Sequence, residues 1–255
     1  MAVLFVLVLL CVWPAAPQDT ESQTEASRTD LTGKMFSLMK SNSGTVVFRS
    51  SPNTNISAFT VCLRHLSETD QTLFTMNINS SARFSLRSQS VYPRYAFDIG
   101  GQMLRSSLNV PYNHYPYWTD VCATWESFGG MAQVWANGLG SVRKAAWRGG
   151  IFGGQVFLTL GDFEGQVTDV HMWDYELSTN KIRAFMAGMS FRQGTVVSWT
   201  SARYSASGDV VLEDRRSNDV RRRARDEGWE LGTERMTGEG KRRRRKKGRA
   251  KGCEK

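Results

Sequence analysis

Histidine is scarce in this 255-residue chain. Its three copies, His65, His114 and His171, stand far apart, and no His-x-x-x-His or Cys-x-x-Cys spacing occurs, which excludes the usual zinc sites. There is no internal repeat and no heptad run, so neither a repeat array nor a coiled coil is expected. Long apolar runs are also missing. Val3 to Val12 is uninterrupted but too short to span a bilayer, and no later segment is apolar enough to do so. With the small residues of Trp13-Pro14-Ala15-Ala16-Pro17-Gln18 behind it, that run reads as a signal peptide over residues 1–17. Only the α-amino group supplies its positive end.

Cysteine is nearly as sparse, with four in all, and Cys11 leaves with the leader. Cys62 sits in Phe59-Thr60-Val61-Cys62-Leu63, and Cys122 in Asp120-Val121-Cys122-Ala123-Thr124-Trp125-Glu126-Ser127. Two distant strands, each with an inward-facing cysteine, predict a disulfide stapling a sandwich across its core. Closing that loop of about 60 residues is worth about 4 kcal/mol in the chain-entropy account. Cys253 is left over, to stay free or to cross-link chains. A leader and a disulfide together place the protein outside the cytosol. In that compartment Asn55-Ile56-Ser57 and Asn79-Ser80-Ser81 become candidate N-glycosylation sites.

Charge divides the chain. Residues 213–255 hold 17 Lys/Arg and 9 Asp/Glu, a net of +8, which leaves only +1 of the total +9 for residues 1–212. The tail contains Arg221, Arg222, Arg223 and the run Lys241, Arg242, Arg243, Arg244, Arg245, Lys246 and Lys247. Its few apolar residues bury too little surface to offset ordering entropy, so disorder is expected. The functional reading is polyanion binding by counterion release; a solvated tail without a partner suits the same composition.

Between the polar segment 18–29 and the tail, residues 30–212 have the size of one domain. Short strand patterns fall at 44–48, 58–63, 71–76, 83–86, 95–99, 120–125, 132–136, 155–160, 166–173 and 195–199, separated by Gly, Ser and Asn. Many short strands with turn signals read as an all-β, antiparallel two-sheet jelly-roll sandwich. In 167–173, strict alternation puts Val167, Asp169, His171 and Trp173 on one side and Thr168, Val170 and Met172 on the other. Asn137-Gly138 fits a hairpin between Val134-Trp135 and 142–144. One short helix is expected over 177–188, with Ser178 or Thr179 as cap, Gly188 as terminator, and Ile182, Phe185 and Met186 as an apolar stripe.

At these residues the chain resembles the pentraxin family. The likeness runs through Phe59 to Leu63, Cys122 to Ser127, Val134-Trp135-Ala136-Asn137-Gly138, Val170-His171-Met172-Trp173-Asp174-Tyr175-Glu176-Leu177-Ser178, Val196-Val197-Ser198-Trp199 and Gly208-Asp209-Val210. The family signature His-x-Cys-x-Ser/Thr-Trp-x-Ser/Thr reads Asp120-x-Cys122-x-Thr124-Trp125-x-Ser127 here, with Asp for His. The resemblance implies a lectin-like jelly roll in a cyclic, usually five-fold homo-oligomer that recognises ligands through bound calcium.

The calcium ligands that the resemblance implies are thin. Each calcium ion takes six to eight oxygens, and the family supplies many of them from a long acidic loop after a Leu-Gly. Leu160-Gly161 is followed at once by Asp162-Phe163-Glu164-Gly165-Gln166, leaving Asp162, Glu164 and Gln166 as candidates on a loop shorter by about fifteen residues. The family's Asp-Asn pair aligns with Asn79-Ser80-Ser81-Ala82-Arg83, or in a rival alignment with Asp70 and Gln71. Where choline-binding relatives place an acid after a Gly-Gly turn, this chain has Gly100-Gly101-Gln102-Met103.

The combined reading is a secreted, pentraxin-like pattern-recognition protein of innate immunity, non-enzymatic, with a weakened or lost calcium site. Its partners are glycans, phospholipid head groups or polyanions, with no specific nucleic acid and no membrane span. Two alternatives stand beside it. One is a carbohydrate-active enzyme on a jelly roll, with Asp162 and Glu164 as its acids; the other is a structural subunit of mixed oligomers.

Overall fold

The computed structural model describes residues 27–39, 44–67, 70–79, 82–89, 94–108, 118–161 and 163–215. Among them the strands form two large antiparallel sheets. The first runs β11 (Leu139–Gly140), β10 (Met131–Ala136), β9 (Thr119–Glu126), β4 (Ala58–Leu66), β15 (Gly165–Trp173), β1 (Lys34–Leu38) and β17 (Val210–Asp214), with β12 (Lys144–Ala145) also on β10. The second runs β16 (Tyr204–Ser207), β2 (Thr45–Arg49), β14 (Val156–Leu160), β5 (Gln71–Ile78), β6 (Ala82–Gln89), β7 (Arg94–Ile99) and β8 (Gln102–Ser107). A small ribbon pairs β3 (Thr54–Ile56) with β13 (Phe152–Gly154). The architecture is the expected jelly roll.

Period-2 alternation builds the core. Phe59, Val61 and Leu63 of β4 and Val121, Ala123 and Trp125 of β9 are buried with Phe74, Met76 and Ile78 of β5 and Phe84 and Leu86 of β6. Rings interlock at the centre: Phe59 lies 5.0 Å from Phe84, and Phe84 lies 5.7 Å from Trp125. Each such side chain contributes about 1.5–3 kcal/mol on leaving water. The Trp125 Nε1–H donates to the Trp147 carbonyl at 3.0 Å, so the large buried indole leaves no orphan donor.

The same alternation corrects the expected place of the disulfide. Cys62 and Cys122 are bonded, but they face each other directly across β4 and β9 within one sheet. With Phe59, Val61 and Leu63 inside, Cys62 points to the outer side. That side is buried too, because helix α1 (Thr179–Met186) lies over it with Ile182, Phe185 and Met186 down. Both faces of β4 and β9 are therefore apolar, and the sequence pattern does not say which one is the sandwich interior.

Strict alternation fails in β15 as well. The register with β4 shifts between Thr168 and His171, and Asp169 has φ +53°. This bulge resets the phase, so Val167, Val170 and Met172 all enter the core, while His171 and Trp173 face the helix side. Residues 195–199 do not form the expected strand. Val197 makes one isolated bridge to Met172, and Trp199–Ser201 is a 3-10 turn.

Local chemistry explains the other ends. Asn137 and Gly138 have φ +48° and +87° in the two-residue turn from β10 to β11, as a type I′ hairpin requires. The return strand is Leu139–Gly140, and pairing resumes only at β12. After α1 the Gly188 N–H bonds to the Phe185 carbonyl and the Met189 N–H to the Ala184 carbonyl, with Gly188 at φ +65°. These are the two bonds of a Schellman motif, and they need a residue at ease with positive φ.

Candidate functional site

The helix covers one outer face of the sandwich; the opposite outer face carries an open groove. Among the described residues this groove has a volume of about 610 Å³ and is lined by Asn77 of β5, Arg83 and Arg87 of β6, Asp98 of β7 and Trp147, with Asn79 at its end. The β6 alternation creates it. Phe84 and Leu86 turn inward, so Arg83 and Arg87 stand outward and exposed. The Asp98 carboxylate accepts the Gly101 N–H at 2.8 Å. Trp147 walls the groove by stacking on Phe84, and a Cβ on Gly100 (φ +59°) would collide with its ring. Arginines, amides and an aromatic wall suit a ligand with an anionic group on a polar body.

The residues suggested as calcium ligands are scattered. Gln71 opens β5, whereas Asn79 follows its far end; eight residues of strand put them roughly 25 Å apart. The Gln71 carboxamide is consumed by backbone, since its Nε2 donates to the Glu164 carbonyl at 2.6 Å and its Oε1 accepts the Glu164 N–H. Asp70 and Glu164 are exposed at that same end. Asp162 lies outside the described residues, so the geometry of a pair with Glu164 does too. Gln166 points elsewhere, toward Ser37 Oγ at 3.3 Å and Glu213 at 3.4 Å. Asn79 takes φ +49° and donates from Nδ2 to the Gly153 carbonyl at 2.7 Å.

The connection from β14 to β15 is a sealed turn. Four residues join Leu160 to Gly165, a span of at most about 18 Å even if fully extended. Phe163 is buried, its ring edge-on to His65, and Gly165 (φ +139°) sits where a Cβ would strike the Leu66 carbonyl. A turn pinned in this way cannot fold back to the Asn79 end of the groove. Among the described residues no three His, Cys, Asp or Glu side chains are grouped as a metal site. Among the described residues the candidate oxygens are not gathered for a calcium pair: the Gln71 Oε1 is taken by backbone, and two arginines line the groove beside Asn79.

Of the sequon residues, Asn55 is exposed on the short ribbon, while Asn79 uses its amide nitrogen internally. Every tail residue from Arg221 to Lys247 lies outside the described residues. The first sheet reaches Asp214, which pairs with Lys34, and the Arg215 N–H bonds to the Gly33 carbonyl.

Two features escaped the sequence reading. Asp120, the residue that departs from the family signature, is fully buried, and Arg64 Nε pairs with it at 2.6 Å. Arg64 also reaches Asp169 at 3.6 Å, and Asp169 holds Arg215 at 2.9 Å, so the β15 bulge residue joins three strands by charge. Their strands are distant in sequence, and no local motif announces the cluster. His171 is the second. Its ring packs against Trp173, Phe185 and Phe191, and burial pushes its pKa down to about 3. Its Nδ1 accepts the backbone N–H groups of Gly194 and Trp199 at 3.5 and 3.4 Å, a tethering role.

Comparison with known proteins places this geometry. A sequence model described as the Pentaxin family matches residues 34–214. The chain is 30% identical over 206 residues to C-reactive protein of Sus scrofa, covering 73% of this chain and 90% of that protein. It is 28% identical over 203 residues to serum amyloid P-component of the same species, covering 73% and 89%. Among solved structures, the native heptameric SAP-like pentraxin from Limulus polyphemus superposes with a TM-score of 0.63 at 16% identity, over 74% of this chain and 98% of that one.

Proposed function

Because the chain belongs to the pentraxin family, we propose that it is a secreted, non-enzymatic ligand-binding protein of innate immunity that works without a calcium pair. The observation that carries this reading is the arginine pair in the groove. Arg83 and Arg87 stand on one face of β6, two residues apart from Ser85 on either side, with no ion pair to another described residue. Two unpaired guanidinium groups repel a divalent cation and attract the anionic groups that a bound cation would otherwise hold. The buried Phe163 and the engaged Oε1 of Gln71 support the same conclusion.

The assembly is a cyclic homo-oligomer, with five subunits implied by the family resemblance and seven seen in the Limulus relative. Phe128 and Ile151 support an interface, since they are 88% and 72% exposed on segments joined by the Gly149 N–H to the Ser127 carbonyl. The basic tail adds polyanion affinity, and Asn55 carries the glycan in preference to Asn79. The test is thermal unfolding with calorimetry in EDTA and in millimolar calcium. The unfolding temperature stays unchanged, because a saturating ion that binds the folded state must raise it. A rise of several degrees, abolished by neutralising Asp162 and Glu164, would restore the calcium pair.

A further inference from the structure

A second cationic recess lies at the β16 edge of the second sheet. Arg49 in it stands three strand spacings, about 14 Å, from Arg83 of β6. Its volume is about 110 Å³, roughly the space of three or four waters. Three arginines converge on it, and none of its lining residues is acidic. The fold brings them together from distant positions. Thr29 and Ala202 exchange backbone hydrogen bonds at 2.8 Å, which sets Arg28 beside Arg203. The Arg49 N–H bonds to the Arg203 carbonyl at 2.9 Å, so the end of β2 adds the third. Phe48 and Tyr204, their neighbours on the paired strands, pack inward, which leaves Arg49 and Arg203 on the outer side. The 194–198 segment, held by the Val197 bridge to Met172, closes the far wall.

Like charges so placed cost energy unless something neutralises them. The nearest acid in sequence, Asp30, is committed elsewhere: its Oδ1 accepts both the Thr32 N–H at 2.8 Å and the Thr32 hydroxyl at 2.6 Å. Arg28 and Arg49 form no ion pair with a described residue, and the Arg49 guanidinium rests over the Phe157 ring at 6.0 Å. Ser51 and Ser201 also line the recess. We propose that this recess holds one tetrahedral oxyanion, a phosphate or sulfate monoester, gripped by Arg28 and Arg49, with Arg203 adding its charge to the wall. The space suits the oxyanion alone, so its carrier lies along the surface outside. Planar guanidinium forks match such an anion bidentately, and the site goes beyond the groove proposed above.

The test uses the full chain in EDTA with inorganic phosphate as the probe. Anions held outside any folded site bind folded and unfolded chains alike and leave the unfolding temperature unmoved, whereas a recess present only in the folded state links binding to stability. The groove arginines are removed first, so that phosphate raises the unfolding temperature of Arg83→Gln/Arg87→Gln through the recess. Adding Arg28→Gln/Arg49→Gln to that background leaves only the smaller, nonspecific rise that excluded salts give any protein. By calorimetry each single change, Arg28→Gln or Arg49→Gln, weakens phosphate about tenfold. A monosulfated sugar competes with phosphate if the recess reads the oxyanion whatever its carrier. An equal rise in Arg83→Gln/Arg87→Gln with and without Arg28→Gln/Arg49→Gln overturns the proposal, and so does binding of phosphatidylserine vesicles with no response to phosphate or the sugar sulfate. Failure of the calcium test does not touch this outcome, since EDTA is present throughout.

Discussion

Two buried histidines should make this protein sensitive to mild acid. His65 is 6% exposed and His171 2% exposed, and burial lowers their pKa values to about 4 and about 3. In the unfolded chain a histidine titrates near 6.5. As pH falls below that value the unfolded state binds protons that the folded state refuses, so stability is complete above about pH 7 and is lost through the window from 6.5 down toward 4. From pH 7.5 to pH 5 each histidine removes about 2 kcal/mol. That figure hardly depends on the folded pKa once it lies below 5, because the unfolded histidine alone is titrating. Together they cost about 4 kcal/mol, or roughly 8–16 °C of unfolding temperature for a domain of this size. Chemical denaturation at pH 7.5 and 5, at one protein concentration, measures the loss before most carboxylates titrate. His171→Gln and His65→Gln start less stable at neutral pH, and each flattens the pH dependence by about 2 kcal/mol. Equal stability of the parent at the two pH values, or an undiminished slope in the double variant, would refute the reasoning.

The other expectations are structural. Replacing both Cys62 and Cys122 by Ala opens a cross-link 60 residues apart and costs about 4 kcal/mol, read by denaturant titration; an unchanged midpoint would show that the bond contributes nothing. Asp120→Ala leaves Arg64 facing a buried gap and costs about 3–5 kcal/mol, whereas Asp120→Ala with Arg64→Met recovers part of it, a difference visible in a double-mutant cycle. Truncation after Arg215 spares β17 and its bond to Gly33, so the unfolding temperature holds while heparin affinity and its steep salt dependence fall away. Heparin retention on a column at several salt concentrations checks this, and unaltered retention would move polyanion binding onto the sandwich.

Much of the fold is legible in the residues because local patterns carry it. Alternation marks nine of the ten strand patterns, Asn137-Gly138 marks the hairpin, and the stripe Ile182, Phe185 and Met186 with Gly188 behind it marks the helix and its end. The residues of the Cys62–Cys122 pair, and the shortness of the turn before Gly165, are equally plain in the sequence. What alternation cannot decide is which of two apolar faces becomes the interior. The helix, placed only by tertiary packing, buries the outer side of β4 and β9 and turns an expected inter-sheet staple into a cross-strand one. The β15 bulge is set by register against β4, because Asp169 at positive φ lets the strand add a residue without losing its core phase. The trio of Arg28, Arg49 and Arg203, and the cluster of Arg64, Asp120, Asp169 and Arg215, depend on strands far apart in the chain lying side by side. Charge interacts through space over a few ångströms, and the sequence records only the residues, so the sites were decided by the tertiary structure.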